Sequence, residues 1–316
     1  MSPTERTLAG GPLLARPAPS GDVGELVARL RGVPDEHRRF AVDARTAMRL
    51  HRIGPPLLEE LGSAGLPCAG RGTQRLHDGY DLANAALHLG LTSVQRRAIR
   101  SWAAALRAGA PGQEPEYRVE FTASCPVPGH AGPCRYGVLL PGGRTPVLAP
   151  GPGETPLATV TVRPRTRWPE LPDAVVELLG TLDPVGFFML PEALRWDPEF
   201  LWRTRMADCG GAAAWLVAEG TRRGLAVRFG FGLLVAKPYS TPHCWAEFLV
   251  DGVWVPVDPL LVRAMAAWGG LDAAAHGPRR SPGALFHRLT GHFTKVVSHG
   301  GVWAPTSLPT ERTPCP

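Results

Sequence analysis

Cys209-Gly-Gly-Ala-Ala-Ala-Trp-Leu-Val-Ala-Glu-Gly220 and His243-Cys-Trp-Ala-Glu-Phe-Leu-Val-Asp-Gly-Val-Trp-Val-Pro-Val-Asp-Pro259 are the two stretches that decide the fold. The first is alanine-rich and reads as a buried helix ending near Gly224. A cysteine in its first turn meets unpaired backbone N–H groups and the positive end of the macrodipole. Both favour thiolate over thiol. Gly210 and Gly211 leave room for substrate and backbone to come close, and the N–H of Cys209 can serve an oxyanion. In the second stretch, period-two alternation from His243 to Val250 places His243, Trp245 and Glu247 on one strand face. Asp251-Gly252 predicts a two-residue hairpin turn. Pairing Val250 with Val253 then sets Asp258 opposite Trp245 and diagonal to His243. From there a carboxylate can hold an imidazole tautomer. Nucleophile, base and orienter together make a Cys-His-Asp acyl-transfer site.

These motifs, in this order, resemble the transglutaminase-like superfamily, whose core is a papain-like α+β fold. The resemblance covers about residues 202–261 and implies that Cys209 is the acyl-accepting thiolate, His243 the general base and Asp258 its partner. Asp208 and Cys244 depart from the family pattern, which has small residues at both places. The family includes transglutaminases, cysteine proteases, peptide N-glycanases and bacterial amide synthases that use carrier-bound thioesters. It therefore implies an acyl donor (thioester or amide, carrier-bound in some members) and an amine or water acceptor. The expected activity is acyl transfer from Cys209 to an amine in bacterial small-molecule or peptide biosynthesis. A cysteine protease or amidase, and a non-catalytic binding scaffold, are the alternatives. Trp202, Gly210, Trp245 and Glu247 are candidates for substrate contact or support of the triad, with core packing the competing reading for both tryptophans and a structural or solvent-facing position that for Glu247.

Outward from this core, residues 1–20 read as a flexible tail and 21–112 as a helical domain. Asp22 caps a first helix, with Glu25 at the capping-box position. A second helix from Asp35 carries Phe40, Ala44, Met48 and Leu50 as its apolar stripe and is broken at Pro55-Pro56. Two more helices are expected over 81–89 and 92–108. Period-two alternation at Tyr117–Phe121 and Ala158–Arg163 marks a β-rich segment, 113–165. Residues 166–304 form the catalytic domain and 305–316 a C-terminal tail.

The formal charge is +6, and Lys237 and Lys295 are the only lysines. No run of like charge or basic helix interleaved with aromatics occurs, so no nucleic-acid partner is expected. The arginine bias, with abundant Ala, Gly and Pro, is that of a GC-rich genome. No apolar stretch has the length of a signal core or a membrane span, which gives an expectation of a cytoplasmic protein without a membrane partner. Cys125, His130 and Cys134 provide three metal-type ligands at an unfamiliar spacing where a site needs about four. They read as a turn-rich loop with incidental thiols, and no metal or cofactor is expected.

Overall fold

Two residues in a hairpin turn set the register of the site. Asp251 and Gly252 both adopt positive φ, 49° and 76°, the type I′ geometry whose twist matches that of the flanking strands. Strand Thr241–Val250 accordingly pairs with Val253–Val257 in the expected register, Val250 opposite Val253. Strand Val227–Leu234 joins on the other side, with Gly232 opposite His243. Phe286–Thr290 completes an antiparallel four-stranded sheet. Helix Cys209–Arg222 packs on this sheet, where Ala212 and Leu216 share a core with Ala246, Phe248 and Val255.

The computed structural model describes residues 22–108, 115–151 and 156–313 of a protein that mixes helix and sheet. The expected flexible tail, 1–20, lies outside them. Helices Val23–Leu30, Gly79–His88 and Val94–Ala108 form in the N-terminal lobe. Asp22 caps the first by accepting from the N–H of Gly24 at 2.8 Å. The helix expected from Asp35 does not form. A 3-10 turn, Asp35–His37, is followed by strand Phe40–Val42 and short helical and π turns as far as His51. The cause is Arg38, whose buried guanidinium binds Asp81 at 2.8 Å and donates to the carbonyls of Leu30 (2.7 Å) and Val33 (2.5 Å). That network holds the chain extended, and Phe40 pairs with Asp78 instead. Met48 and Leu50, expected in the core, are exposed. Pro55 and Pro56 open helix Pro55–Ser63, where a missing N–H costs no hydrogen bond.

The β-rich middle supplies strands Glu116–Ala123, Tyr136–Val138, Val147–Leu148 and Ala158–Val162. Its sheets are completed from the far end of the chain. Val297–His299 pairs with Tyr136–Val138, while Thr306–Ser307 and Thr310–Thr313 pair with Glu116–Ala123. The segment expected as a tail, 305–316, is thus sheet-forming through Thr313. Leu308 is buried in the core that also holds Phe121 and Phe231. Buried Thr310 shares a 2.8 Å hydrogen bond between its hydroxyl and that of Ser240.

Deleting residues 308–316 removes that strand and uncovers the core. Loss of Leu308 burial alone costs about 1.5–3 kcal/mol, so thermal unfolding should shift down by several degrees. An unchanged melting temperature would mean that the segment is a tail after all.

Candidate active site

Cys209 is the first residue of its helix. Asp208 precedes it as N-cap, accepting from the N–H of Gly211 at 3.0 Å. His243 lies near the start of its strand, and Asp258 caps the helix Pro259–Gly269 by accepting from the N–H of Leu261 at 2.9 Å. His243 Nε2 and Asp258 Oδ2 are 2.8 Å apart, with both side chains buried. The carboxylate accepts, so Nε2 carries a proton, and the ring makes a second hydrogen bond to Cys209. The structure therefore brings the three expected residues together as one hydrogen-bonded chain, sulfur to imidazole to carboxylate.

The electrostatics of the group are those of a charged pair. The Cys244 side chain, hydrogen-bonded to the sulfur, is the largest influence drawing Cys209 well below the ordinary thiol range. Burial opposes it, while the charge and hydrogen bond of His243 and the backbone N–H of Cys244 reinforce it. The same side-chain hydrogen bond, aided by burial, pushes Cys244 far upward, so Cys244 is the thiol that donates and Cys209 the thiolate that accepts. For His243, burial works against the charged form. The Cys209 charge and hydrogen bonds to Asp258 and Cys209 outweigh it and raise the imidazole to about 10. A thiolate–imidazolium pair is the state these groups favour.

Both departures from the family pattern have physical roles here. Cys244 is a hydrogen-bond donor to the nucleophile. Asp208 is buried, and burial, then the Cys209 charge, raises it to about 6 in spite of Arg195. Arg195 Nε sits 2.6 Å from Asp208 Oδ2 and offsets its charge beside the sulfur. The glycines after Cys209 serve this pair. A Cβ on Gly210 would come within 2.4 Å of the Arg195 side chain, and one on Gly211 within 2.8 Å of the Arg195 carbonyl oxygen. Gly210 was expected to make room for substrate; the room is occupied by Arg195 and by Trp196, which lies 3.1 Å from the same point.

Trp245 and Glu247 support the histidine from behind. Trp245 is buried, its ring 6.5 Å from the imidazole, and Phe286 packs against both, 5.4 Å from the imidazole and parallel to the indole at 4.7 Å. Its Nε1–H donates to Glu247 at 3.0 Å, and Arg228 holds the other Glu247 oxygen at 2.5 Å. Trp202 does not reach the site. It packs edge-on against Trp215 at 4.8 Å, in the core under the cysteine helix.

Cys209 and His243 open into a cleft whose walls include Tyr80, Arg195, Phe293 and Trp303. The sequence reading missed all four wall residues. Tyr80 belongs to the N-terminal lobe and Trp303 to a C-terminal strand, so no local pattern ties either to Cys209. Arg195 had one signal: an acidic residue preceding a thiolate calls for a nearby cation.

Cys244→Ala removes the largest thiolate-stabilising contact. A hydrogen bond to a charged group contributes about 1.5–3 kcal/mol, so iodoacetamide labelling of Cys209 at acidic pH should slow by about tenfold or more. Because the thiolate is lost as pH falls through its pKa, the whole profile should move to higher pH; an unmoved profile would contradict the role of Cys244.

Residues 191–259 match the family model of the transglutaminase-like superfamily. The matched span runs from just before Arg195 to the proline after Asp258 and holds all three triad positions. No curated protein and no solved structure gives a significant match to the chain. Among the described residues no helix is long and apolar enough to cross a membrane.

Proposed function

We propose, from the premise that this chain carries a transglutaminase-like domain at 191–259, that it is a cysteine acyltransferase with a papain-like core. The observation that carries the reading is the Cys209–His243–Asp258 chain of hydrogen bonds, with its sulfur held as thiolate at the mouth of a cleft. The thiolate of Cys209 adds to the carbonyl carbon of a thioester or amide, and the N–H of Cys209 at the helix start is placed to meet the developing oxyanion. Collapse expels a thiol or an amine, which in either case receives the Nδ1 proton of His243, and leaves an acyl thioester on Cys209 beside a neutral imidazole. An amine then adds to that thioester while His243 takes its proton. The C–S bond breaks, the amide leaves, and the thiolate–imidazolium pair is restored. Asp258 keeps the ring oriented throughout and stabilises its charged form whenever it carries both protons.

Aromatic walls (Tyr80, Phe231, Phe293 and Trp303) border the sulfur. They favour an organic amine over water as acceptor, which is the reason to place transfer ahead of hydrolysis. A carrier-bound acyl group fits a donor of this kind, and the arginine-rich composition fits a bacterial biosynthetic setting. No cofactor enters the cycle.

Incubation with acyl thioesters and a panel of amines, followed by intact mass, should reveal an acyl adduct on Cys209 that amines discharge to amides. Cys209→Ala should form no adduct, and Asp258→Asn should lower turnover by about three to four orders of magnitude. An adduct discharged by water alone would make the protein a hydrolase, and undiminished activity in Cys209→Ala would defeat both enzyme readings.

A further inference from the structure

A second cluster of reactive side chains lies outside the triad. The loop between strands Glu116–Ala123 and Tyr136–Val138 reads Cys125-Pro-Val-Pro-Gly-His130-Ala-Gly-Pro-Cys134, and Gly129 and Gly132 turn it with φ of 85° and 78°. Sequence spacing offers three ligand-type residues there. The fold adds a fourth. Strand Val297–His299 pairs with Tyr136–Val138 so that His299 lies opposite Tyr136, next to the end of the loop. The ligand atoms of Cys125, His130, Cys134 and His299 all fall within 4.8 Å of one another.

We propose that Cys125, His130, Cys134 and His299 bind a single zinc ion in a closed structural site. Metal bonds of about 2.0–2.3 Å to nitrogen and sulfur at tetrahedral angles put the ligand atoms roughly 3.3–3.8 Å apart. His130 Nε2 and Cys134 Sγ are already 3.3 Å apart, and the remaining separations close with side-chain adjustment. His130 Nδ1 lies 3.0 Å from the carbonyl oxygen of Ala131. A carbonyl can only accept, so the proton sits on Nδ1 and the lone pair of Nε2 faces the cluster, the arrangement found in metal-bound histidines. His299 Nε2 is buried and has no hydrogen-bond partner among the described residues, a state that carries a desolvation cost unless something binds it. Sulfur is supported too: the Val127 N–H reaches Cys125 Sγ at 3.4 Å, and Cys134 is hydrogen-bonded by Tyr136.

The ligand set chooses the metal. Two thiolates and two neutral imidazoles around a divalent ion give a site without net charge, and this soft tetrahedral set suits zinc. Binding releases the two thiol protons to solvent. Four protein ligands leave no open position, so the site is structural. It ties the 125–134 loop to the strand that turns at Gly300-Gly301 into Val302–Trp303, and Trp303 is a wall of the Cys209 cleft. The site thus fixes one side of the catalytic pocket from outside it.

Elemental analysis of the purified full-length protein, after dialysis against metal-free buffer, should find stoichiometric zinc. Replacing it with cobalt chloride should give the intense visible bands of tetrahedral Co(II) together with thiolate charge transfer. Titration of zinc against a chromophoric chelator should report a more than about hundredfold weaker affinity in His299→Ala, a change that spares both cysteines and the loop. A Cys125→Ser, Cys134→Ser double variant should hold no zinc. The proposal is overturned by a wild-type protein without tightly held zinc, by an octahedral cobalt spectrum, by a Cys125–Cys134 disulfide in the intact mass, or by wild-type zinc affinity in His299→Ala.

Discussion

A charged sulfur beside a charged imidazole, both largely withdrawn from water, is the constraint on which the rest of this structure depends. Removing an ion from water costs several kcal/mol even after relaxation, and the attraction between two buried charges offsets this only when each is also hydrogen-bonded. Here every such bond has a source. Asp258 is fixed as a helix cap and accepts from His243, the Cys244 side chain and backbone N–H serve the sulfur, and the helix start adds its dipole. Removing one partner leaves the others as uncompensated charge.

That requirement spreads outward. Asp208 caps the cysteine helix, yet its carboxylate would repel the thiolate, and Arg195 holds it at 2.6 Å. The aliphatic stem and the carbonyl of Arg195 fit there only because positions 210 and 211 lack side chains. On the other side of the histidine, Phe286 packs against both the imidazole and Trp245, whose buried indole N–H places Glu247 inside the core, and Glu247 in turn requires Arg228. Gly230 completes this arrangement, since a Cβ there would come within 2.4 Å of the indole. A single buried ion pair thus bears on the residue type at positions well beyond the three that form it.

The parts legible in the sequence were those set by local rules. Asp251-Gly252 defines a turn, the turn defines the register, and the register aligns His243 with Asp258; no distant residue is needed for that inference. The start of the cysteine helix was legible for the same reason. What escaped depends on contacts far along the chain. Residues 40–50 have helical spacing, but Arg38 and Asp81 hold them otherwise. Gly210 was assigned to substrate because the arginine that fills its space lies upstream with nothing to distinguish it from many others. Trp202 and Trp196 are alike in sequence, and only packing places one in the core and the other beside Gly210. Three residues of the second cluster were visible in one loop, whereas His299 joins them through strand pairing.

The protonation state of His243 at neutral pH tests the central claim most directly. Nitrogen-15 NMR of histidine-labelled protein, with the resonance assigned from a His243→Gln variant, reads the two ring nitrogens separately. The account predicts an imidazolium that persists until pH approaches 10 and deprotonates above it. In Cys209→Ala, where the thiolate charge is gone and burial is less opposed, deprotonation should move to lower pH. A neutral His243 imidazole at pH 7 in the wild-type protein, or a titration that Cys209→Ala leaves unmoved, would contradict the account.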